Sequence, residues 1–137
     1  MGPNVDQGLA NSLYAVMLDI WQAYDDTLPT LQAAGIKICL LSNAGVPIRE
    51  VLDRDGVTPF VDAVVLSYEV GCVKPDPRIF TAALAAIACD PDETLMVGDS
   101  GRDHTGGVEL ALRTLIMPRT WGPMHGLAAV TELVLPN

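Results

Sequence analysis

Four short apolar segments recur along the chain, each separated from the next by a stretch that carries helix signals. They are IKICLLS (36–42), AVVLS (63–67), TLMV (94–97) and TLIMP (114–118). Apolar runs of this length are typical of strands buried on both faces of a parallel sheet, because parallel strands are joined by crossover helices that cover those faces. The pattern therefore predicts an α/β fold with a doubly wound parallel sheet.

Helix signals lie before and between these segments. From Leu13 to Tyr24 large apolar residues recur every three or four positions, which predicts an amphipathic helix. Thr27 is a candidate cap for a second helix that ends at Gly35. Further helices are predicted at 47–56, from the pair Asp76–Pro77 onward, and at 108–112.

Composition limits the classes of protein to which the chain can belong. With 137 residues, half of them apolar, it is long enough for one compact domain and too short for two. A net charge of -9 argues against a nucleic-acid partner. Neither a membrane-spanning run nor a leader pattern is evident, and Cys39, Cys72 and Cys89 lack metal-ligand spacing. We therefore expect a cytoplasmic protein with reduced thiols and no membrane partner.

Polar residues stand where the predicted strands end. Ser42 closes the first strand, and the backbone N–H groups of Asn43 and Ala44 follow it, an arrangement suited to binding an oxyanion or a phosphate. Lys74 lies beyond the second strand, and Asp99 and Asp103 follow the third. Because ligands of doubly wound sheets bind at the carboxyl ends of the strands, these residues are candidates for one site.

Each of these residues also has a structural interpretation. Ser42 can form a simple turn, Lys74 can be an ordinary surface lysine, and Asp99 can cap the helix that follows. Asp103 can favour the start of that helix through its charge. For His104, beside it, we expect a solvated position in the first helical turn.

Three segments resemble motifs of the haloacid dehalogenase superfamily of hydrolases. They are LLSN (40–43), VKPDPRIF (73–80) and DETLMVGDSGRD (92–103), the last followed by Gly106 and Gly107. They are similar to the second, third and fourth motifs of that family, and the resemblance covers roughly residues 25 to 120. It implies a Rossmann-like core with a parallel sheet and helices on both faces.

The resemblance implies a role for each candidate residue. Ser42 and the Asn43 amide would bind the transferring phosphoryl group, and Lys74 would stabilise that group and the nucleophile. Asp99 and Asp103 would hold Mg²⁺. A Gly-Asp pair followed by a second Asp is similar to the phosphatase branch, which implies small phosphate esters as substrates. Halide removal is a weaker alternative, because dehalogenases of the family carry a different fourth motif and no metal.

The first motif of the family, a strand ending in Asp-x-Asp-Gly-Thr whose first Asp attacks phosphorus, has no match here. Asp19, in YAVMLDIW, is the nearest candidate nucleophile. However, its surroundings have helical periodicity and no Gly-Thr pair follows it. We therefore expect residues 1–25 to be a remnant of the family's inserted cap and residues 26–137 to form the core.

The missing motif has a structural consequence. In the family its strand lies between those that here end at Ser42 and Asp99, so its absence leaves two unpaired edges facing a gap. Either these strands close on each other, or a second copy, a separate upstream fragment or the N-terminal segment fills the gap. Two functions stay open: a magnesium-dependent phosphohydrolase, truncated and impaired, or a non-catalytic fragment or regulatory domain that retains the anion and metal site.

Overall fold

A computed structural model of the protein describes residues 25–44 and 48–134. The predicted helix at 13–24, the candidate nucleophile Asp19 and Pro47 lie outside these ranges. The domain boundary after residue 25 stays a prediction for the same reason.

The four predicted strands are present, each four residues long. They are β1 (Cys39–Ser42), β2 (Ala63–Leu66), β3 (Leu95–Gly98) and β4 (Arg113–Ile116). The helices are α1 (Thr27–Ala34), α2 (Arg49–Arg54), α3 (Ser67–Val70), α4 (Pro77–Ile87), α5 (Gly101–His104) and α6 (Ala128–Val134). Turns of 3₁₀-helix occupy Thr58–Phe60, Pro91–Glu93 and Thr105–Leu110.

Local signals placed some helix ends well and others poorly. α4 begins as predicted, with the Asp76 carboxylate accepting the N–H of Arg78 at 2.9 Å. An α-helix over residues 108–112 was the wrong prediction, because a 3₁₀-helix runs through most of this stretch and ends at Leu110. Gly106 and Gly107 lie in this 3₁₀-helix, directly before residue 108, and glycine is unfavourable in an α-helix. Gly106 lies against the carbonyl oxygen of Pro75, so a side chain at that position would collide with the backbone.

The strands form two parallel pairs rather than one continuous sheet. β1 pairs with β2, and β3 pairs with β4. Within the described ranges, no backbone hydrogen bond joins β1 to β3. The two strands expected to flank a gap have therefore not closed on each other. The α/β architecture is as predicted, with its parallel sheet divided in two.

Helix α4 holds the two pairs together. It packs on β1 and β2 and also on the 3₁₀-helix before β4. Ile79 and Phe80 of α4 are 0% and 1% exposed and form a core cluster with Val65 and Leu112. Burial of side chains of this size stabilises a fold by about 1.5–3 kcal/mol each.

An apolar cleft of about 1260 Å³ lies between β1 and β3, and we call it the central cleft. Residues 38–41 and 94–97 supply its two strand walls. Its remaining apolar lining includes Phe80, Leu84, Ile87, Leu127 and Val130. The described residues thus leave two unpaired strand edges across an apolar space.

A buried carboxylate ties the start of α1 to the segment before α6. Asp26 is 5% exposed and accepts the N–H groups of His125, Gly126 and Leu127 at 3.0, 2.8 and 2.8 Å. Thr27 was predicted as the cap of α1. That assignment is wrong, since Asp26 holds the N-cap position and its carboxylate bonds this distant segment instead.

None of the helices within the described ranges is long and apolar enough to cross a membrane.

Replacing Asp26 should destabilise the protein in a pH-dependent way. Burial acts to raise the pKa of Asp26. The hydrogen bonds from His125, Leu127 and Gly126 together outweigh this effect and lower the pKa to below the usual 3.8. Asp26→Asn should cost about 1 to 3 kcal/mol in urea unfolding at neutral pH, because an amide NH₂ would face backbone donors. Since the folded pKa is depressed, this difference should be full well above the unfolded pKa of 3.8 and shrink as the pH falls through the folded pKa. Asp25→Asn, at the neighbouring exposed side chain, is the control and should change little.

Candidate functional site

The carboxyl ends of β1 and β3 are bridged by Lys74. Its Nζ donates to the Leu41 carbonyl oxygen of β1 at 3.3 Å and lies 2.8 Å from Nε2 of His104, which follows β3. The two ends therefore lie on the same side of the molecule, at one end of the central cleft. The strands do not pair within the described ranges, and one lysine side chain reaches the carboxyl end of each.

Lys74 is buried, with 8% of the residue exposed. Burial lowers its pKa, and the negative charges of Asp103 and Asp99 act in the opposite direction. Both carboxylates are thus within electrostatic reach of the ammonium. A cation removed from bulk water attracts anions more strongly than a solvated one does.

Asn43 fixes the backbone of the lysine. Its Nδ2 donates to the Lys74 carbonyl oxygen at 3.1 Å, and the Lys74 N–H donates to Asn43 Oδ1 at 2.7 Å. The resemblance gave Asn43 a role through its backbone amide only, and the side-chain contact was not foreseen. Ser42 is the last residue of β1, and Ala44 is buried, with its carbonyl oxygen accepting from Ser67 Oγ at 3.1 Å. Ser42, Asn43 and Lys74 are therefore brought to one strand end.

Asp99, directly after β3, is paired with an arginine that the sequence analysis missed. Asp99 Oδ2 accepts from Arg119 Nη2 at 3.1 Å and from Nε at 3.2 Å. Burial acts to raise the pKa of Asp99, but the hydrogen bond and charge of Arg119 contribute to a net lowering. The available signal was positional, because Arg119 follows β4, whose carboxyl end lies beside that of β3.

Asp103 lies in α5, one turn after Asp99. Its N–H donates to Ser100 Oγ at 3.3 Å, so Ser100, and not Asp99, caps this helix. The Asp103 side chain is half-buried, and its charge acts on Lys74. Asp99 remains available as a ligand rather than as a cap.

The two carboxylates fit magnesium in their chemistry. Mg²⁺ takes hard oxygen ligands and commonly keeps several waters while binding one or two carboxylates. Within the described ranges, no cluster of three or more His, Cys, Asp or Glu side chains could hold a metal ion. Asp99 and Asp103 could therefore supply two ligands, with the others coming from water, substrate or residues outside these ranges.

His104 is not the solvated residue that its position suggested. It is 6% exposed, and its ring lies against the backbone of Gly98, where any side chain would collide with it. Glycine at the end of β3 thus makes room for the imidazole beside Lys74.

Comparison with known proteins places the chain in a family. A model of haloacid dehalogenase-like hydrolases matches residues 6–110. Phosphoserine phosphatase of Thermus thermophilus is 43% identical over 79 residues, which are 56% of this chain and 31% of that protein. Glyceraldehyde 3-phosphate phosphatase of Methanothermobacter thermautotrophicus is 36% identical over 94 residues, 66% of this chain and 41% of that protein. The chain thus spans less than half the length of these two relatives.

A solved structure has the same fold. The HAD phosphatase of Thermococcus onnurineus aligns with a TM-score of 0.76 and 23% identity, over 90% of this chain and 63% of that one. At this identity the likeness supports the Rossmann-like α/β fold alone.

Removing the Arg119 guanidinium should raise the pKa of Asp99. In Arg119→Gln the carboxylate loses the hydrogen bond and the charge that lower its pKa, while its burial persists. A carboxyl-carbon NMR titration in metal-free buffer would measure the shift. Arg102→Gln, at an exposed arginine of α5, is the matched control and should leave the pKa of Asp99 near its wild-type position. An unchanged pKa in Arg119→Gln would show that the ion pair does not persist in solution.

Proposed function

Because this chain belongs to the haloacid dehalogenase-like hydrolases, we propose that it supplies the phosphate and magnesium site of a cytoplasmic phosphohydrolase acting on small phosphate esters. The observation that carries the proposal is that the buried residue Lys74, whose ammonium reaches the end of β1, lies within electrostatic reach of Asp99 and Asp103. The names of the two phosphatase relatives support this substrate class.

In this proposal each residue has its own role. The Ser42 hydroxyl and the N–H groups of Asn43 and Ala44 would bind the phosphoryl oxygens. Lys74 would donate a hydrogen bond to the same group and neutralise part of its charge. Asp99 and Asp103 would hold Mg²⁺, which when bound offsets the negative charge of the phosphate.

The described residues leave the source of the catalytic carboxylate open. Asp99 and Asp103 are the acidic side chains whose charges act on Lys74 among the described residues, and both are assigned to the metal. We propose that the nucleophilic carboxylate ends a strand that enters the central cleft from a complementing upstream fragment. Such a strand would run parallel to β1 and β3, bond both unpaired edges and carry its last residue to Lys74.

The cleft supports this arrangement in two ways. Its strand walls and most of its other lining are apolar, which suits a segment with apolar side chains on both faces. Within the described ranges, the facing edges of β1 and β3 also have no strand partner, and an added strand would bond their backbone groups. A second copy of the chain is the alternative source of the strand, and the same groups would favour a homodimer.

Binding of ligands by the chain alone tests the site. Magnesium with inorganic phosphate should raise the melting temperature, because both ligands bind the folded state. The increase should be lost in Lys74→Met and Asp99→Asn. Asp92→Asn, at an exposed carboxylate in the turn before β3, is the matched control and should retain it. A wild-type chain that neither ligand stabilises would contradict the proposed site.

Covalent capture tests the source of the nucleophile. The chain would be incubated with magnesium and acetyl phosphate, alone or with a peptide of five apolar residues followed by Asp-x-Asp-Gly-Thr, and analysed by intact-mass spectrometry. We expect a phosphoryl adduct on the peptide only when the chain is present, and none when the first Asp of the peptide is Asn.

Other outcomes of this experiment are equally decisive. An adduct on the chain that is lost in Asp19→Asn would make Asp19 the nucleophile and contradict strand complementation. Adduct formation by the chain alone, at concentrations at which it forms a dimer, would favour a second copy of the chain as the source of the strand. No adduct in any mixture, with ligand binding intact, would favour the non-catalytic function.

A further inference from the structure

We propose that His104 is a positioning residue that holds the Lys74 ammonium at the end of the central cleft by accepting its hydrogen bond through Nε2. The imidazole would be neutral and protonated on Nδ1. The hydrogen bond is inferred from geometry alone, whereas its importance for phosphate binding rests on the proposed function.

The contacts that fix the His104 ring do not involve Lys74. The ring is buried against Gly98, and its Nδ1 lies 2.8 Å from the Ser100 carbonyl oxygen. The backbone N–H of His104 also donates to that oxygen, at 3.0 Å, within the single turn of α5. The helical turn and the glycine together leave Nε2 facing the lysine.

The identity of the partner selects the tautomer. A lysine ammonium has donors only, so Nε2 at 2.8 Å from Nζ has to be the acceptor. The ring proton then lies on Nδ1, where the Ser100 carbonyl oxygen accepts it. The Ser100 N–H would donate to Nδ1 at 3.2 Å if that nitrogen were unprotonated. The contact of Nδ1 with the carbonyl oxygen is shorter, at 2.8 Å, and together with the lysine it favours a proton on Nδ1. A doubly protonated ring would place two cationic donors against each other.

A neutral lysine would reverse this assignment, and the site disfavours it. Burial lowers the pKa of Lys74, but the charges of Asp103 and Asp99 support the ammonium. The Leu41 carbonyl oxygen, 3.3 Å from Nζ, is a further acceptor that suits the charged form. Two of the three ammonium N–H groups are thereby directed to fixed acceptors, and the third is left for an anion.

The lysine is therefore held at both ends. Asn43 holds its backbone through two hydrogen bonds, and His104 with Leu41 holds its ammonium. A long flexible side chain is otherwise costly to hold in one geometry, since it has many rotamers. Fixing it in advance should strengthen phosphate binding without a direct contact between His104 and the ligand.

Nitrogen NMR of the imidazole rings in the ligand-free chain tests the hydrogen bond. The chain has two histidines, and His125→Gln identifies the signals of His104. We expect a protonated Nδ1 and an unprotonated Nε2 for His104, and loss of this preference in Lys74→Met. Protonation on Nε2, or on both nitrogens, would overturn the inference.

Phosphate affinity tests the positioning role. Measured in the presence of magnesium, His104→Leu should weaken phosphate binding about tenfold, since a hydrogen bond to a charged group is lost. His104→Gln keeps an acceptor and should recover most of the affinity. Binding of magnesium alone should be similar in both variants, because Asp99 and Asp103 are unchanged.

The contrary results separate this inference from the proposed function. Equal losses of phosphate and magnesium binding in both variants would indicate a merely structural role and overturn the inference. If the wild-type chain binds no phosphate, the proposed function fails and the positioning role fails with it. The tautomer measured in the ligand-free chain would then show whether the hydrogen bond exists.

Discussion

The packing of α4 between the two pairs of strands is the interaction on which the rest of the structure depends. The pairs share no strand-to-strand hydrogen bond in the described part of the chain, so buried side chains such as Ile79 and Phe80 set their separation. The close contact of Gly106 with the Pro75 carbonyl oxygen adds a second link. This contact joins the loop that carries Lys74 to the turn after α5, and it lets one side chain reach both strand ends.

The positions of the strands and of several helices followed from the sequence because their causes are local. Continuous apolar runs gave the four strands, and the Asp76–Pro77 pair gave the start of α4. The same local signals misplaced the cap of α1, because Asp26 is used by a segment about a hundred residues away. Where a polar side chain has a distant partner, local propensity does not determine its role.

In the candidate site, too, features with local causes were predictable and those with distant partners were not. The positions of Ser42, Lys74, Asp99 and Asp103 at strand ends followed from the order of motifs and elements. The contacts of Lys74 with His104 did not, because a histidine in a first helical turn gives no sign that a glycine elsewhere has made room for it. These contacts are tertiary, and they turn a set of candidate residues into an arrangement with defined hydrogen bonds.

The bond between Asp26 and residues 125–127 has a consequence for how the chain reaches its fold. Its partners are 99 to 101 positions apart in sequence, so the anchor of α1 closes a very long loop. The entropy of closing such a loop has to be offset by contacts made earlier, and folds rich in distant contacts form slowly. During synthesis, α1 leaves the ribosome long before its anchor does. Residues at the start of α1 therefore lack this anchor until residues 125–127 have emerged.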